Sequence, residues 1–389
     1  MSCTFEVLGI DSHNKGALLM LEACCRMVRG WRADARMAIT YRFDPAMRLK
    51  HGLWASLPRE KLPPGLAATW ERLPDAACRI GTLVRRSEID VILDGSGFAY
   101  GDAWPTRKLK HRLAKTIIER PKGSKVILLP QAFGPFSDPE ARSLLREALP
   151  QADLVFARDE ESYNHICDVT GGAGENLRRA PDFSNLLETT QIADQSLAGG
   201  YWIVPNTKVL EKDGRGAQPR YLDFLARTVE LMRARGLTPR VLIHEGPKDE
   251  AVARRLNERL AEPLELHWPD GALAAKAILG SAAGVISSRY HALVSALASA
   301  VPALACGWSH KYDALMQDYA LDECVIDLGK PEDWDAKVDR LINLSQDPQA
   351  RESLAAASSR EKQKSREMWE AVFTCIEEGN RWRTRQASV

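Results

Sequence analysis

The sequence has almost no excess of charge of either sign. Its 389 residues include 53 lysines and arginines against 52 aspartates and glutamates, which gives a formal net charge of +1. A general nucleic-acid binder needs a basic surplus to neutralise a run of phosphates, so this balance disfavours that class. A small anion held by a few arginine or lysine side chains remains compatible with it.

Long hydrophobic runs are also missing. The least polar stretch, 292–308, contains two serines and Pro302 and is too short for a membrane span, so it predicts a helix followed by a buried strand. The opening MSCTFEVLGIDSHNKG has no basic and apolar segments of signal-peptide length. The basic tail RWRTRQASV is expected to be solvated, and Trp382 within it allows at most peripheral contact with a membrane.

Metal-binding and hydrolase motifs are absent as well. The eight cysteines form no C-x-x-C pair and no cluster with histidine at zinc spacing, and Cys24 and Cys25 are adjacent. Asp333 and Asp335 form the one D-x-D, which is typical of an acidic first helical turn. G-x-S-x-G and H-E-x-x-H do not occur. We therefore expect buried, reduced thiols, a cytoplasmic location and no metal.

Short apolar runs alternate with helical patterns along most of the chain. Strands are predicted at 5–10, 37–41, 91–93, 125–129, 154–157, 201–204, 240–244, 284–287 and 303–306. Helices are predicted between nearly all of them, including 17–28, 107–120, 221–235, 250–260 and 290–300. Continuously apolar strands that alternate with helices predict an α/β fold with doubly wound, Rossmann-like parallel sheets.

One break in this alternation predicts a domain boundary. Segment 188–200 loses its apolar period and ends in Gly199-Gly200, and a weaker break follows near Ser345. We therefore expect an amino-terminal Rossmann-like domain at 1–190, a second one at 198–345, and a carboxyl-terminal helix and tail at 346–389 that pack back. Ligands of such folds bind at the carboxyl ends of the strands, so the residues that follow each strand are the candidate site.

The first strand is followed by GIDSHNKGALL. Asn14 and Lys15 lie at a predicted helix start, where backbone N–H groups and the helix dipole favour an anion. A capped helix with a flexible glycine turn is the structural alternative. The spacing is not that of a P-loop, so an NTPase is disfavoured.

Three more strand ends in the first half are polar. DGSGFAYGDAW has Tyr100 where a dinucleotide motif needs glycine, so nicotinamide or flavin binding is disfavoured. Its Asp94, Ser96, Tyr100 and Asp102 are polar enough to bind sugar hydroxyls, and Gly97 lets the backbone come close to a ligand. A tight turn without a ligand is the alternative there. In PQAFGPF, a loop stiffened by two prolines presents Gln131, whose amide both donates and accepts. In RDEESY, Arg158 is expected either to pair with a neighbouring acid or to point into a cleft.

The second half contains the most specific pattern. In GVISSRYHALVSALAS, a strand leads through Ser288 to Arg289 and His291 in the first turn of a helix, which is a favourable site for an oxyanion or phosphate. A purely structural histidine is the alternative for His291. Two further strand ends add titratable groups, namely His310 and Lys311 in CGWSHKY and His244 and Glu245 in HEGPKDE. Together they predict one anionic ligand in an interdomain cleft.

The sequence resembles the polysaccharide pyruvyl transferase family. The stretches that match are NKGALLML, DGSGFAYGD, LPQAFGPF, ARDEESY, APDFSN, VISSRYHALVSALASAVPALACGWSHKY and the intervening HE. They extend from about residue 7 to residue 312 and so cover most of the chain. Singly each is weak, but their order and the R-x-H at the helix start make the resemblance fairly specific.

The resemblance implies a GT-B-like pair of domains, the first on the acceptor side and the second on the donor side. It implies transfer of the pyruvyl group of phosphoenolpyruvate onto two hydroxyls of a free, lipid-linked or nucleotide-linked sugar, giving a cyclic ketal, without a cofactor. Arg289 and His291 match the donor-binding arginine and the proposed general acid, and Arg158 matches a donor-binding arginine of the first domain. Some members have a histidine after the PQ loop, and here that stretch is Ala132-Phe133-Gly134.

The chemistry of the donor agrees with these residues. Arg158, Arg289 and Lys311 suit the phosphate and carboxylate of phosphoenolpyruvate, and an imidazole suits protonation of its methylene carbon. Position alone makes Asp94, Asp182 and Glu245 candidates for the base. The competing interpretations are a GT-B glycosyltransferase that uses a nucleotide sugar and a non-catalytic saccharide-binding protein of the same fold.

Overall fold

The computed structural model describes residues 2–57, 64–188, 192, 194–212, 217–307 and 309–379. The basic tail with Trp382 and the residue Trp308 lie outside these ranges. The chain forms two compact units. The first comprises the described residues of Met1–Ser12, Met20–Phe183 and Lys364–Val389, and the second those of His13–Leu19 and Ser184–Gln363.

The first unit is built on a parallel sheet. Its strands are β1 (Thr4–Leu8), β2 (Arg36–Thr40), β3 (Trp54–Ser56), β4 (Leu83–Val84), β5 (Val91–Asp94), β6 (Phe98–Tyr100), β7 (Lys125–Phe133), β8 (Leu154–Ala157) and β9 (Leu177–Arg179). They follow the order β4-β3-β2-β1-β5-β7-β8-β9, with β6 paired to β7. All the pairings are parallel, and Val7 lies opposite Leu93 in the centre.

The second unit repeats the design on a smaller scale. Its strands are β10 (Tyr201–Val204), β11 (Pro239–Leu242), β12 (Leu266–His267), β13 (Gly284–Ser287) and β14 (Ala303–Ala305). They are parallel in the order β12-β11-β10-β13-β14. Strands β10 and β13 are buried along their whole length, as expected for a sheet covered on both faces.

Helices connect most of the strands. Up to the second sheet they are α1 (Lys15–Trp31), α2 (Pro45–Lys50), α3 (Pro64–Glu71), α4 (Asp75–Ile80), α5 (Thr106–Leu113), α6 (Pro139–Ala148) and α7 (Glu160–Thr170). They continue as α8 (Thr207–Lys212), α9 (Ala217–Ala234), α10 (Gly246–Asn257), α11 (Ala272–Gly280), α12 (Tyr290–Leu297), α13 (Lys311–Asp318), α14 (Trp334–Gln346) and α15 (Pro348–Gly379). None of the described helices is both long and apolar enough to cross a membrane.

The predicted doubly wound parallel α/β fold is confirmed, and three strands, 154–157, 201–204 and 284–287, have the predicted bounds. The prediction of a loop at PQAFGPF is wrong, because β7 continues through Pro130 to Phe133. The pairing of β7 with β8 shifts register between Leu128 and Gln131, and such an irregularity accommodates a proline that cannot donate to the ladder. The helix predicted at 107–120 ends earlier, because α5 passes into a π-helical turn at Ala114–Ile118.

The prediction of buried thiols holds for six of the eight cysteines, and Cys167 and Cys375 are half-buried. No disulfide joins cysteines within the described residues. Burial raises the pKa of the Cys306 thiol to about 12, so that group is protonated at neutral pH.

Candidate active site

The R-x-H turn lies where β13 passes into α12. Arg289 is the N-cap residue of this helix and has an extended backbone. The Ser287 hydroxyl accepts a hydrogen bond from the Arg289 N–H at 2.9 Å and donates to the Arg289 carbonyl at 3.1 Å. This local bonding fixes the turn and places Arg289 and His291 at the positive end of the helix.

Two carboxylates hold the guanidinium of Arg289. Its Nε and Nη2 donate to the two oxygens of Asp249 at 2.9 and 2.5 Å, and Nη1 donates to Glu245. Burial disfavours the charge of Arg289, but the hydrogen bonds and charges of Asp249 and Glu245 outweigh it and raise the pKa of the guanidinium. Three of its five N–H donors are thus used by described residues, and two are left for a ligand.

Asp249 is a residue that sequence reasoning missed. It is fully buried, and it also accepts from the backbone N–H of Glu245 at 3.1 Å and of Thr207 at 3.3 Å. Its position four residues after Glu245, in the first turn of α10, was visible in HEGPKDE. That position resembled an ordinary acidic helix start, and no sequence signal linked it to Arg289, 40 residues away.

His291 lies against the start of helix α1. A Cβ placed on Gly16 would be only 2.2 Å from Nδ1 of His291, so glycine is required for this approach. The predicted capped helix is observed here, because Asn14 Oδ1 accepts from the N–H of Ala17 at 2.9 Å. Segment His13–Leu19 therefore packs within the second unit, although it precedes the first unit's helices in the chain.

Lys15 adds a cation close to Arg289. Partial burial lowers the pKa of Lys15, and the charge of Arg289 acts in the same direction, while Glu245 and Asp249 oppose both. Among the described residues Lys15 forms no ion pair. Its ammonium group is thus available for an anion next to Arg289.

His244 is buried in the same cluster, and no hydrogen bond from the described residues offsets the burial of its ring nitrogens. It is 2% exposed, and neither ring nitrogen has a hydrogen-bond partner among the described residues. Burial, followed by the charges of Arg289, Lys15 and His291, holds the pKa of His244 well below the ordinary histidine value. The ring is neutral at physiological pH, and a bound anion would stabilise its protonated form.

Ser288 stabilises the R-x-H turn through buried hydrogen bonds. Its hydroxyl is hydrogen-bonded to the Tyr221 hydroxyl at 2.8 Å, and its carbonyl accepts from Asn206 Nδ2 at 2.7 Å and from the Tyr312 hydroxyl at 2.9 Å. Ser288 is buried, so its observed contacts are structural. These tyrosines and Asn206 were not among the predicted site residues.

His310 and Lys311 lie at the start of α13. His310 is the N-cap residue, and the Lys311 ammonium lies 5.6 Å from the centre of the Tyr290 ring and 5.4 Å from that of Tyr312. These two cation–π contacts hold a buried lysine charge beside the R-x-H turn. The structure therefore collects nine predicted residues in the second unit: Asn14, Lys15, His244, Glu245, Ser288, Arg289, His291, His310 and Lys311.

The other predicted residues belong to the first unit. Buried Asp94 accepts hydrogen bonds from the Tyr100 hydroxyl at 2.6 Å and from the Ser96 hydroxyl, and burial together with the charge of Asp94 raises the pKa of Tyr100. Gly97 has φ +70 and passes close to Met20, which accounts for a glycine there. Tyr100 therefore fixes Asp94 at the carboxyl end of β5.

Arg158 and Asp182 form a buried ion pair. Nη1 of Arg158 donates to Asp182 at 3.2 Å, and both side chains are almost inaccessible. The expected local partner, Asp159, instead caps α7 by accepting from the N–H of Ser162 at 2.7 Å. Gln131 is fully buried with no hydrogen-bond partner for either amide atom among the described residues. Such an amide is available to a ligand or a water molecule.

The candidate site offers cations and imidazoles. No group of three or more His, Cys, Asp or Glu side chains in the described ranges has a geometry that could hold a metal ion. Lys15, Arg289 and Lys311 can bind oxyanions directly, and His291 is half-buried beside them. This arrangement suits binding of a small anion with several negative charges and proton transfer to it.

Comparison with solved structures supports the fold. A protein described as a UDP-N-acetylglucosamine 2-epimerase from Listeria monocytogenes has a TM-score of 0.60 at 12% identity over 97% of each chain. The Neisseria meningitidis UDP-GlcNAc 2-epimerase bound to UDP-GlcNAc has a TM-score of 0.58 at 12% identity, over 96% of this chain and 100% of that one. The glycotransferase of kitacinnamycin has a TM-score of 0.53 at 13% identity, over 96% of this chain and 98% of that one.

At these identities the likeness concerns the fold alone, and that fold is the GT-B-like one of glycosyltransferases and epimerases. Family membership has separate support. The family model described as polysaccharide pyruvyl transferase matches residues 14–310, which include the α1 start, β5, β7 and the R-x-H turn. The chain belongs to the polysaccharide pyruvyl transferase family.

Proposed function

We propose that the protein transfers the pyruvyl group of phosphoenolpyruvate onto two hydroxyls of a sugar, forming a cyclic ketal during synthesis of an exopolysaccharide or cell-surface glycan. The observation that supports this most directly is the second-unit cluster, in which Arg289 retains two N–H donors and Lys15 and His244 lie close to it. A donor with a phosphate and a carboxylate would supply the negative charge that this cluster lacks.

Each residue then has a distinct role. Arg289, Lys15 and Lys311 bind the phosphate and the carboxylate, and Asp249 orients Arg289 without touching the donor. His291 acts as the general acid, since an imidazole is a proton donor near neutral pH. Arg158, paired with Asp182 in the first unit, is the second arginine proposed for the donor.

The reaction balances without a cofactor. His291 delivers a proton to the methylene carbon of the enol, which becomes a methyl group, and the adjacent carbon becomes electrophilic. A sugar hydroxyl adds to that carbon and loses its proton. Phosphate leaves with the electron pair of its C–O bond, and a second hydroxyl adds and loses its proton to close the ketal. Of the two hydroxyl protons, one restores His291 and the other leaves with phosphate or solvent.

Three carboxylates are proposed as the base for the hydroxyl protons. Asp94 accepts from two hydroxyls, whereas Asp182 and Glu245 are each paired with an arginine. An Asp→Asn or Glu→Gln change at the true base should lower kcat, while the same change at the other two positions should act on stability or donor affinity.

The test is phosphate release from phosphoenolpyruvate with a panel of sugar acceptors, with the product mass checked for one added pyruvyl ketal. A glycosyltransferase would release no phosphate from this donor and would be stabilised against heat by UDP rather than by phosphoenolpyruvate. A non-catalytic saccharide-binding protein would be stabilised by oligosaccharide and would release no phosphate at all. Acceptor-dependent release with ketal formation is the result that the proposal requires.

A further inference from the structure

A cavity in the first unit is lined by none of the residues assigned so far to the donor. It has a volume of about 340 Å³ and opens at the carboxyl ends of four neighbouring strands, with Leu8, Thr40, Leu57 and Asp94 at or just after the ends of β1, β2, β3 and β5. This is the edge at which parallel α/β sheets bind ligands. Its volume is within the range of a small-molecule site.

One wall of the cavity is a basic face of helix α5 and its π-helical extension. Lys108, His111, Arg112 and Lys115 all line it. Their spacing of three, four and seven residues places them on one side of the helix, while Leu109 and Leu113 are buried on the other side. The basic face therefore belongs to the cavity itself, and Arg42 from the end of β2 adds to it.

The floor of the cavity is acidic and polar. Asp94 and Glu6 are both 1% exposed and lie beneath the basic face. Arg112 Nη1 donates to the Ser96 hydroxyl at 2.5 Å, and Ser96 in turn donates to Asp94, so the arginine is held to the floor. Four arginine and lysine side chains thus line a space with two carboxylates, which leaves the lining with an excess of positive charge.

We propose that this cavity binds the phosphate or diphosphate by which the saccharide acceptor is carried. The basic face of α5 would hold the phosphate oxygens, and Asp94 would accept hydrogen bonds from the sugar hydroxyls. A neutral sugar alone would gain nothing from four cationic side chains. A sugar diphosphate matches both the basic wall and the acidic floor. The proposal rests on the proposed function, because it names the class of acceptor for that reaction.

The probe is inorganic pyrophosphate, titrated into full-length protein labelled with 5-fluorotryptophan. The Lys108 ammonium lies 5.3 Å from the centre of the Trp104 ring, so the ¹⁹F signal of Trp104, assigned with Trp104→Phe, reports on this cavity. Lys108→Gln with Lys115→Gln removes two cations from the cavity. Lys122→Gln is the matched control, since Lys122 is exposed and does not line it.

We expect saturable binding that is about tenfold weaker in the double variant and unchanged in the control. Melting temperatures of the three proteins show whether the variants are folded, and Lys108→Arg with Lys115→Arg should retain the affinity. A Trp104 signal that does not respond to pyrophosphate, or that responds equally in the double variant, overturns the proposal.

Two further probes separate the possible carriers. Tighter binding of UDP than of pyrophosphate indicates a nucleotide carrier, and tighter binding of geranyl diphosphate indicates a lipid carrier; either supports the proposal. Weaker binding of both overturns it, because the cavity would then suit free phosphate only. Failure of phosphate release from phosphoenolpyruvate, with this site intact, would instead count against the proposed reaction alone.

Discussion

Gly16 and His291 approach each other so closely that a Cβ at residue 16 would lie 2.2 Å from the imidazole Nδ1. They are 275 positions apart in the chain, yet both belong to the second unit. Helix α1 thus begins against the proposed general acid. The identity of residue 16 therefore controls where the imidazole lies.

Gly16→Ala should displace His291 and lower kcat by about 10²-fold, as small misplacements of catalytic groups do. Gly30→Ala is the matched control, because it lies in the same helix and a Cβ there meets nothing within 4 Å. It should be neutral or slightly stabilising. Steady-state rates and melting temperatures of both variants test this, and equal activities would show that the contact does not position the acid.

Asp249→Asn should weaken donor binding through Arg289. The Asp249 side chain is 0% exposed and that of Arg289 is 14% exposed, so removing the charge of Asp249 should destabilise the fold by about 3 kcal/mol. The KM for phosphoenolpyruvate should rise more than kcat falls, since Asp249 does not touch the reacting atoms.

The control for this change is Asp335→Asn, which breaks the exposed pair with Arg227. A surface pair contributes little, so denaturant unfolding should give a change within about 1 kcal/mol. If Asp249→Asn behaves like the surface control in both stability and donor KM, Asp249 does not position Arg289.

The pH dependence of the free energy of unfolding should reveal the lowered pKa of His244. Its pKa in the folded protein lies well below 6.5, because burial and then Arg289, Lys15 and His291 disfavour the imidazolium. Below pH 6.5 the unfolded chain therefore binds a proton that the folded protein does not. The free energy of unfolding should fall with decreasing pH by up to about 1.4 kcal/mol per unit.

Denaturant unfolding between about pH 5 and about pH 7.5, a range around the ordinary histidine pKa, measures this slope. Glu22 does not interfere, since its pKa, lowered to about 2 mainly by its hydrogen bond to His51, makes its contribution decline only in more acidic solution. His244→Gln should flatten the slope, and saturating phosphoenolpyruvate should also reduce it. An unchanged slope in the variant would assign the pH dependence to other groups.

Activity should not depend on a divalent metal. The proposed donor site consists of arginine, lysine and histidine side chains, and the described residues contain no cluster of three metal-ligating groups. Turnover in excess EDTA should equal that in buffer. Loss of activity that added Mg²⁺ restores would contradict this prediction.

The sequence predicts what depends on local pattern. Tyr201–Val204 and Gly284–Ser287 are apolar runs with clear turn signals, and Asn14 is a standard helix cap, so these elements were predictable. Strands such as Leu83–Val84 are too short to show a period.

The rest depends on contacts between distant parts of the chain. The pairing of Arg289 with Asp249 and the packing of Gly16 against His291 leave no local signature. The extension of β7 through Pro130 depends on a register shift in its pairing with β8. In the sequence, the proline instead indicates that the strand ends. The basic spacing of α5 is visible in RKLKHRLAK, but the cavity that it lines is not.

The central claim is that His291 protonates the methylene carbon of phosphoenolpyruvate during pyruvyl transfer. The most direct test is the reaction in D₂O, with wild type and with His291→Gln, followed by mass spectrometry of the pyruvylated sugar and by phosphate release. Wild type should place one deuterium in the ketal methyl group, and the variant should bind the donor while losing about 10²–10⁴-fold in kcat. Turnover of the variant within a few-fold of wild type, or phosphate release without a deuterated ketal, would contradict the account.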